Sequence, residues 1–271
     1  MLAAFDISNT RVTVGFFDGA DLRASVSRAA DARRTADEYA LLLADSLREE
    51  HLSRGDVAGA VIGCVVPALT STFEQVCQRL FHLRPLVVGA ATRTGIRIAT
   101  LNPREVGADR IVNALAAQHF YGQPSIVVDL DTATTFDAVA ADGAYAGSAI
   151  APGLVLAAEA LAQGTSRLQR VDLARPRTAI GKDTVSALQS GLIFGHVAMI
   201  EGMVARIRAE LDAPNAPVIA TGELAPLIAA ETRCIDKVEP ALSLIGLRLF
   251  YELNQTTTRT APPAVLRASG S

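Results

Sequence analysis

The sequence contains the same local pattern twice, about 120 residues apart. In each copy an apolar stretch ends in an aspartate, Asp6 or Asp129, a short polar turn follows, and a second apolar stretch begins. The four apolar stretches are residues 2–7, 11–17, 126–130 and 134–140. Short apolar runs bounded by turn residues predict buried strands, so each copy predicts two strands joined by a tight turn. The repeat indicates that the chain consists of two duplicated units.

The patterns around these turns predict an α/β fold in both halves of the chain. Further strands are predicted at residues 22–27, 61–65, 86–88, 144–150 and 217–220. Helices are predicted at residues 36–50, 69–80, 106–119, 154–163, 185–210 (interrupted at Gly195 and Gly202) and 226–231. We expect the units to occupy residues 1–115 and 116–255, with Asp6 and Asp129 lining a cleft between them. Residues 256–271 are polar and proline-containing, which predicts a disordered tail.

The composition excludes several functional classes. Half of the 271 residues are hydrophobic and a fifth are charged, which is enough apolar material for a packed core. The net charge of −3 provides no basic surface, so we expect neither a nucleic-acid nor a membrane partner. The three cysteines, Cys64, Cys77 and Cys234, follow no metal-ligand spacing, and the first residues lack the basic region of a signal peptide. We therefore expect a cytoplasmic protein with free thiols.

A strand that ends in aspartate and turns tightly offers two groups for binding. The backbone N–H groups of the turn can cradle an anion, and the carboxylate can hold a metal ion beside it. One such turn is weak support, because Asx turns are common, but two in duplicated units would clamp a polyphosphate from both sides. A P-loop is not supported, because Lys182 is followed by Asp183 and the position of the leading glycine is Pro176.

Five motifs together resemble type III pantothenate kinases over residues 1–253. They are Asp-x-x-Asn-Thr at 6–10, Asn-Pro-Arg-Glu-Val-Gly-Ala-Asp-Arg at 102–110, Val-Asp-x-x-Thr-Ala-Thr-Thr-Phe-Asp at 128–137, Ala-Ile-Ala-Pro-Gly at 149–153 and Ile-Gly-Lys-Asp-Thr at 180–184. The string at 102–110 is the most specific. The resemblance implies duplicated ribonuclease H-like units of the actin-like ATPase fold, with mixed sheets flanked by helices. It also implies ATP-dependent phosphorylation of pantothenate to 4′-phosphopantothenate, the first step of coenzyme A biosynthesis, in a homodimer that uses Mg²⁺ and a monovalent cation, K⁺ or NH₄⁺.

The resemblance also implies roles for individual residues. It implies that the nucleotide phosphates are bound by Asp6, Asn9 and Thr10 of the first turn and by Thr132 of the second. It implies that the carboxylates of Asp129 and Asp6 bind the metal ions. It implies that pantothenate is bound by Gly107, Ala108, Arg110 and Thr184, and that Asp109 is the proton acceptor. These roles suit phosphoryl transfer to an alcohol, in which a carboxylate accepts the hydroxyl proton and an arginine pairs with the pantothenate carboxylate.

Each assignment has a structural alternative. Asp109 would also stabilise the N-terminus of the helix that follows it, and Arg110 would also form a surface ion pair. Thr184 would serve equally as a helix N-cap. Lys182 is better interpreted as a solvated loop charge than as a phosphate ligand, and Asp137 as a structural partner of a turn.

The chain departs from the family pattern at several small residues. Ser8, Asp131, Ser148 and Glu223 replace residues that are small in the family, and Thr100 stands where many members have tyrosine. We expect the four replacements to lie on the nucleotide side, where Asp131 adds repulsive charge and Ser8 adds a Cβ. They predict weaker ATP binding and reduced activity. Two alternatives follow: a catalytically impaired binding or regulatory protein with the kinase fold, and, less favoured, a chaperone-like or cytoskeletal ATPase.

Overall fold

The computed structural model describes residues 1–89 and 92–258 and contains two mixed sheets of five strands each. The first sheet has the order β3-β2-β1-β4-β5 and is formed by β1 (Leu2–Ile7), β2 (Arg11–Asp18), β3 (Asp21–Ala29), β4 (Gly59–Cys64) and β5 (Leu86–Val87). The second has the order β8-β7-β6-β9-β10 and is formed by β6 (Ser125–Leu130), β7 (Ala133–Val139), β8 (Tyr145–Pro152), β9 (Val218–Thr221) and β10 (Lys237–Val238). The two orders correspond strand for strand, which confirms the predicted duplication.

Seven α-helices connect and cover the strands within the described residues. They are α1 (Ala36–Glu49), α2 (Pro67–Phe81), α3 (Ala108–Tyr121), α4 (Leu154–Gly164), α5 (Thr184–Glu210), α6 (Ala225–Ala229) and α7 (Leu242–Thr258). Short sequence motifs mark the starts of several helices. Thr35 and Glu38 form a capping box at the N-terminus of α1, and Pro67 is the first residue of α2. Helix α5 is continuous, so the predicted interruption at Gly195 and Gly202 is wrong.

Each sheet buries one face against its own helices. The first core lies between the first sheet and helices α1 and α2, and contains Phe5, Tyr39 and Phe73. The second core lies between the second sheet and helices α4 to α6, and contains Phe136 and Ile200. By length and composition alone, α5 is long and apolar enough to cross a membrane, but apolar residues along it, such as Ile193 and Ile200, pack in this second core. The cysteines are free thiols.

Helices α3 and α7 pack against each other between the two sheets. Residues Leu244, Leu247 and Phe250 of α7 cover the first sheet, and Leu242 packs with Val127 of the second. The C-terminal helix therefore returns to the N-terminal sheet. It continues through residue 258, and residues 259–271 lie outside the described part, so the tail predicted for residues 256–271 remains a prediction. A boundary between residues 115 and 116 remains a prediction and falls inside α3.

Candidate active site

The two aspartate turns occupy equivalent positions in the two sheets. Asp6 on β1 lies opposite Thr13 on β2, and Asp129 on β6 lies opposite Thr135 on β7. Each turn closes through a backbone hydrogen bond, of 2.8 Å in the first turn and 3.2 Å in the second. Both aspartates line one cavity of about 400 Å³, which we call the acidic cavity. The duplicated strands thus bring the two carboxyl groups to one cleft, as the sequence predicts.

The tips of the two turns contact each other. Oγ1 of Thr10 and Oγ1 of Thr132 form a hydrogen bond of 3.2 Å between the first and second units. Both threonines line a second cavity of about 390 Å³, which we call the apolar cavity because Val155 and Leu156 of α4 also line it. Asn9 is exposed at the tip of the first turn. Three of the four predicted phosphate-binding residues thus line the cleft.

One ion pair joins the two units at the border between these cavities. Arg11 follows the first turn and Glu223 follows β9, 212 residues further along the chain, and their side chains form an ion pair. Both residues line the acidic cavity and the apolar cavity, and so does Asp131. The two cavities are therefore neighbouring parts of one cleft, which the ion pair divides.

The carboxyl groups around the acidic cavity repel one another. Burial, together with the negative charges of Asp109 and Asp131, raises the pKa of Asp6 to about 7. Burial raises the pKa of Asp129 well above its ordinary value, and the charges of Asp109 and Asp6 add to this rise. Burial also raises the pKa of Asp109. A cation relieves such repulsion, so the cluster favours binding of positive charge.

A chain of polar side chains on α3 and α7 connects the two aspartates. The Asn113 amide donates to Asp129 Oδ2 at 3.2 Å, and the Ser243 hydroxyl donates to Asn113 Oδ1 at 2.9 Å. The Ser243 side chain also interacts with Asp6 and opposes the rise in the pKa of that carboxyl group. Sequence reasoning missed Asn113 and Ser243. Their only signal is a polar residue on an apolar helix face, and Asn113 is fully buried there.

Asp109 and Arg110 lie in the first turn of α3. Asp109 Oδ1 accepts the backbone N–H of Arg110 at 2.8 Å, so this carboxylate also stabilises the helix N-terminus. The Arg110 guanidinium donates from Nη1 to Ser148 Oγ at 2.9 Å and from Nη2 to Glu105 O at 3.3 Å. It forms no ion pair with any described carboxylate, so the surface-ion-pair interpretation is wrong. Ser148 lies beside Arg110, which corrects the prediction that it faces the nucleotide.

The remaining predicted acceptor residues line two other cavities. Gly107 and Ala108 line one of about 730 Å³ beside α3. Thr184 lines one of about 710 Å³ at the start of α5, together with Lys182. Thr184 therefore lines a different cavity from Gly107 and Ala108.

The start of α5 shows whether Thr184 is the N-cap of that helix. The Asp183 carboxylate accepts the backbone N–H of Ser186 at 2.9 Å and is the N-cap, while Thr184 is the first helical residue. Thr184 is exposed. Its hydroxyl is therefore not needed to begin the helix.

The backbone accommodates two of the replaced glycine positions without strain. Neither Ser8 nor Asp131 has a positive φ; the described non-glycine residues that do are His51, His82 and Asp212. Ser8 also reinforces its turn, because its hydroxyl donates to Arg11 O at 3.2 Å. Gly222, which the chain keeps, has φ +93°, and a Cβ there would lie 2.6 Å from the backbone of Leu130. Glycine is thus retained where this backbone requires it.

A family model described as type III pantothenate kinase matches residues 2–206. The chain belongs to the type III pantothenate kinase family. The type III pantothenate kinase of Moorella thermoacetica is 45% identical over 254 residues, which cover 94% of this chain and 100% of the relative. That of Dehalococcoides mccartyi is 47% identical over 254 residues, covering 94% and 96% of the two chains.

Solved structures agree with this family at the level of the fold. A protein described as a Baf family member from Campylobacter jejuni matches with a TM-score of 0.60 at 16% identity, covering 94% of this chain and 99% of that one. The activator of the 2-hydroxyisocaproyl-CoA dehydratase from Clostridium difficile matches with a TM-score of 0.51 at 11% identity, covering 96% and 98%. The duplicated actin-like fold implied by the sequence motifs is confirmed.

Membership of a kinase family implies ATP and a divalent metal, and the carboxylates of the acidic cavity suit the metal. Asp6 and Asp129 supply the oxygen donors that Mg²⁺ prefers. Within the described residues, no three His, Cys, Asp or Glu side chains come together as a metal site.

Family membership also bears on the alternatives from the sequence. The pantothenate kinase family is a family of enzymes, and the comparisons give no support to reduced activity or to a purely regulatory protein. They give no support to a chaperone-like ATPase either, because the family match includes the specific string at residues 102–110.

Proposed function

We propose that the protein transfers the γ-phosphoryl group of ATP to pantothenate, giving 4′-phosphopantothenate in the first step of coenzyme A biosynthesis. One observation carries the proposal: α3 begins with Asp109 and Arg110, and Asp109 interacts electrostatically with both aspartates of the acidic cavity. A proton acceptor and an anion-binding arginine therefore stand beside a cleft built for a polyphosphate. The cytoplasm, where ATP is available, is part of the proposal.

The two turns would hold the triphosphate. Backbone N–H groups of the first turn and the hydroxyls of Thr10 and Thr132 offer hydrogen bonds to phosphate oxygens from both units, with Asn9 at the tip of the first turn. Asp6 and Asp129 would hold Mg²⁺ and a monovalent cation, K⁺ or NH₄⁺. When bound, these ions neutralise charge that develops on the phosphate oxygens.

Asp109 would accept the proton of the attacking hydroxyl. The hydroxyl oxygen of pantothenate forms the new bond to the γ-phosphorus, the bond from that phosphorus to the bridging oxygen breaks, and ADP leaves. The hydroxyl proton passes to the Asp109 carboxylate. Because burial raises the pKa of Asp109, this carboxylate is a stronger base than an exposed one.

Arg110 would bind the other end of pantothenate. Its guanidinium uses two of five N–H donors on Ser148 and Glu105, and a carboxylate can take two of the others in a fork. Gly107 and Ala108 would line the acceptor site between this arginine and Asp109, in the cavity beside α3.

Thr184 would reach the acceptor site from a second copy of the chain. Within one chain it lies in a separate cavity, and large apolar side chains near it, Ile180 and Val185, are exposed. Exposed apolar surface of this kind is typical of a subunit interface. We therefore propose a homodimer whose acceptor site combines Asp109 and Arg110 of one subunit with Thr184 of the partner.

A coupled assay of ADP release tests the function. Purified protein with ATP, Mg²⁺ and pantothenate should release ADP only when pantothenate is present, and K⁺ or NH₄⁺ should support the rate better than Na⁺. Asp109→Asn should lower the turnover by about 10²- to 10⁴-fold while pantothenate still binds. Asp37→Asn is the matched control, because Asp37 lies in the first turn of α1, away from the cleft. Equal turnover in Asp109→Asn and the wild-type protein would remove Asp109 from the mechanism.

Mixing two inactive variants tests the shared site. Thr184→Glu places a negative charge where the proposal brings the pantothenate carboxylate, so this variant and Asp109→Asn should each be nearly inactive alone. After subunit exchange, half of the dimers would be mixed, and each would contain one intact site, so activity should return to about a quarter of the wild-type value. A mixture that stays inactive, with exchange shown by mass spectrometry, contradicts a site shared between subunits.

A further inference from the structure

Asp137 is a fully buried carboxyl group that the proposed mechanism does not use. It lies on β7, where Oδ1 accepts the hydroxyl of Tyr145 at 2.7 Å and Oδ2 accepts the hydroxyl of Thr135 at 3.0 Å. Among the described residues, no lysine or arginine forms an ion pair with it. Burying a carboxyl group without a cationic partner is costly, so its presence here points to a purpose beyond packing.

An irregularity in β8 brings two side chains to the same face as Asp137. Asp137 pairs with Ser148 and Val139 pairs with Tyr145, so β8 has one residue more than β7 between these two pairs. Such a bulge shifts the alternation of side chains along the strand. Tyr145 and Ser148, three residues apart, can therefore both face Asp137, and the hydroxyl of Tyr145 does contact it.

Neighbouring polar side chains lead from Asp137 to Arg110. Tyr145 donates to Asp137 at 2.7 Å, Ser148 interacts electrostatically with the Tyr145 hydroxyl, and Arg110 Nη1 donates to Ser148 Oγ at 2.9 Å. Each hydroxyl can accept from one neighbour while it donates to the next, so all donors point toward Asp137. The positive charge of Arg110 thus lies at one end of the chain and the carboxyl group at the other.

We propose that Ser148, Tyr145 and Asp137 are positioning residues that hold the Arg110 guanidinium in the orientation that binds the acceptor carboxylate. This inference rests on the proposed function. A free arginine side chain loses considerable rotational entropy when it forms a fork with a carboxylate. Ser148 Oγ and Glu105 O hold both terminal nitrogens in advance, which reduces that loss and fixes the plane of the guanidinium. We call Ser148, Tyr145 and Asp137 the relay. By holding Arg110 in place, the relay favours acidic acceptors over neutral ones.

The test compares pantothenate with pantothenol, in which a primary alcohol replaces the carboxylate. Both molecules carry the same reactive hydroxyl, so only contacts to the carboxylate distinguish them. KM and kcat are measured for pantothenate, and pantothenol is measured as a substrate and as a competitive ligand. Ser148→Ala should raise the KM for pantothenate about tenfold, the order expected for one hydrogen bond to a charged group, and leave kcat within about twofold. The affinity for pantothenol should not change.

Two further variants and a control define the relay. Ser148→Thr keeps the hydroxyl on an exposed strand position and should restore the wild-type KM. Tyr145→Phe breaks the connection to Asp137 and should change the KM ratio of the two acceptors in the same direction as Ser148→Ala. Ser46→Ala is the matched control, because Arg28 donates to Ser46 Oγ on α1, far from the cleft. That variant should leave both acceptors unaffected.

The outcomes separate the relay from the function on which it rests. If the wild-type protein does not phosphorylate pantothenate, both the proposed function and the relay are overturned. If it does, but Ser148→Ala weakens pantothenate and pantothenol equally or leaves both unchanged, the relay alone is overturned. A loss confined to pantothenate, with rescue by Ser148→Thr, supports it.

Discussion

At the scale of single residues, Asp131 is the replacement with the largest electrostatic effect. It lines both parts of the cleft, and its charge contributes to the raised pKa values of Asp6, Asp109 and Asp129. It follows Leu130 at the second turn, where phosphate is expected, and its backbone is unstrained. Its side chain therefore acts through charge.

Asp131→Asn removes this charge and nearly keeps the shape of the side chain. We expect ATP to bind several-fold more tightly to the variant, because two unit charges about 4 Å apart repel by about 1 kcal/mol even in water. The gain should shrink as salt rises above about 0.1 M, where screening acts within about 10 Å. Titration calorimetry at two salt concentrations measures it. Weaker ATP binding that depends on the Mg²⁺ concentration would instead identify Asp131 as a metal ligand.

At the scale of elements, nine of the ten strands and the two aspartate turns were predictable because their signals are local, whereas the two-residue strand β10 was not assigned. A buried strand with a polar turn after Asp6 or Asp129 is visible in a few consecutive residues. Helix α7 was not assigned from the sequence, and the packing of its residues on the first sheet, on α3 and on the second sheet is a tertiary feature that no local motif announces. Asn113 and Ser243 were missed for the related reason that only tertiary packing brings them to the aspartates.

The contact between α3 and α7 has little spare room at Gly246. A Cβ on this residue would lie 2.1 Å from the Val112 carbonyl oxygen. We expect Gly246→Ala to lower the free energy of unfolding by about 1–3 kcal/mol, because the two helices must move apart. Gly202→Ala on α5 is the control, since nothing lies within 4 Å of the Cβ position there, and it should stabilise by up to about 1 kcal/mol. Denaturant unfolding measures both, and equal effects would contradict the close packing.

At the scale of the whole molecule, two of the side-chain contacts between the units lie at the acidic and apolar cavities. Thr10 meets Thr132, and Arg11 meets Glu223. Of the described residues that line the acidic and apolar cavities, Arg11 is the only lysine or arginine. A triphosphate that enters the cleft must therefore compete with Glu223 for Arg11.

Glu223→Gln should release Arg11 and tighten ATP binding by about two- to fivefold, the range expected for an exposed ion pair. Adenosine, which has no phosphate, should bind equally to variant and wild type. Glu159→Gln is the matched control, because Glu159 lines the apolar cavity but pairs with Arg170. Equal tightening by both variants would show a general effect of charge, and weaker adenosine binding to Glu223→Gln would place Glu223 on the ribose.

The return of α7 to the first sheet affects how the chain folds as it leaves the ribosome. About 150 residues separate the end of β5 from the start of α7. Ribosomes add roughly 5–20 residues per second, so synthesis of this segment takes about 8–30 s. During that time Leu2, Ala4 and Val61 have no α7 to cover them. The N-terminal half is thus made first but completed last, and its nascent form presents an apolar surface on which a chaperone can act.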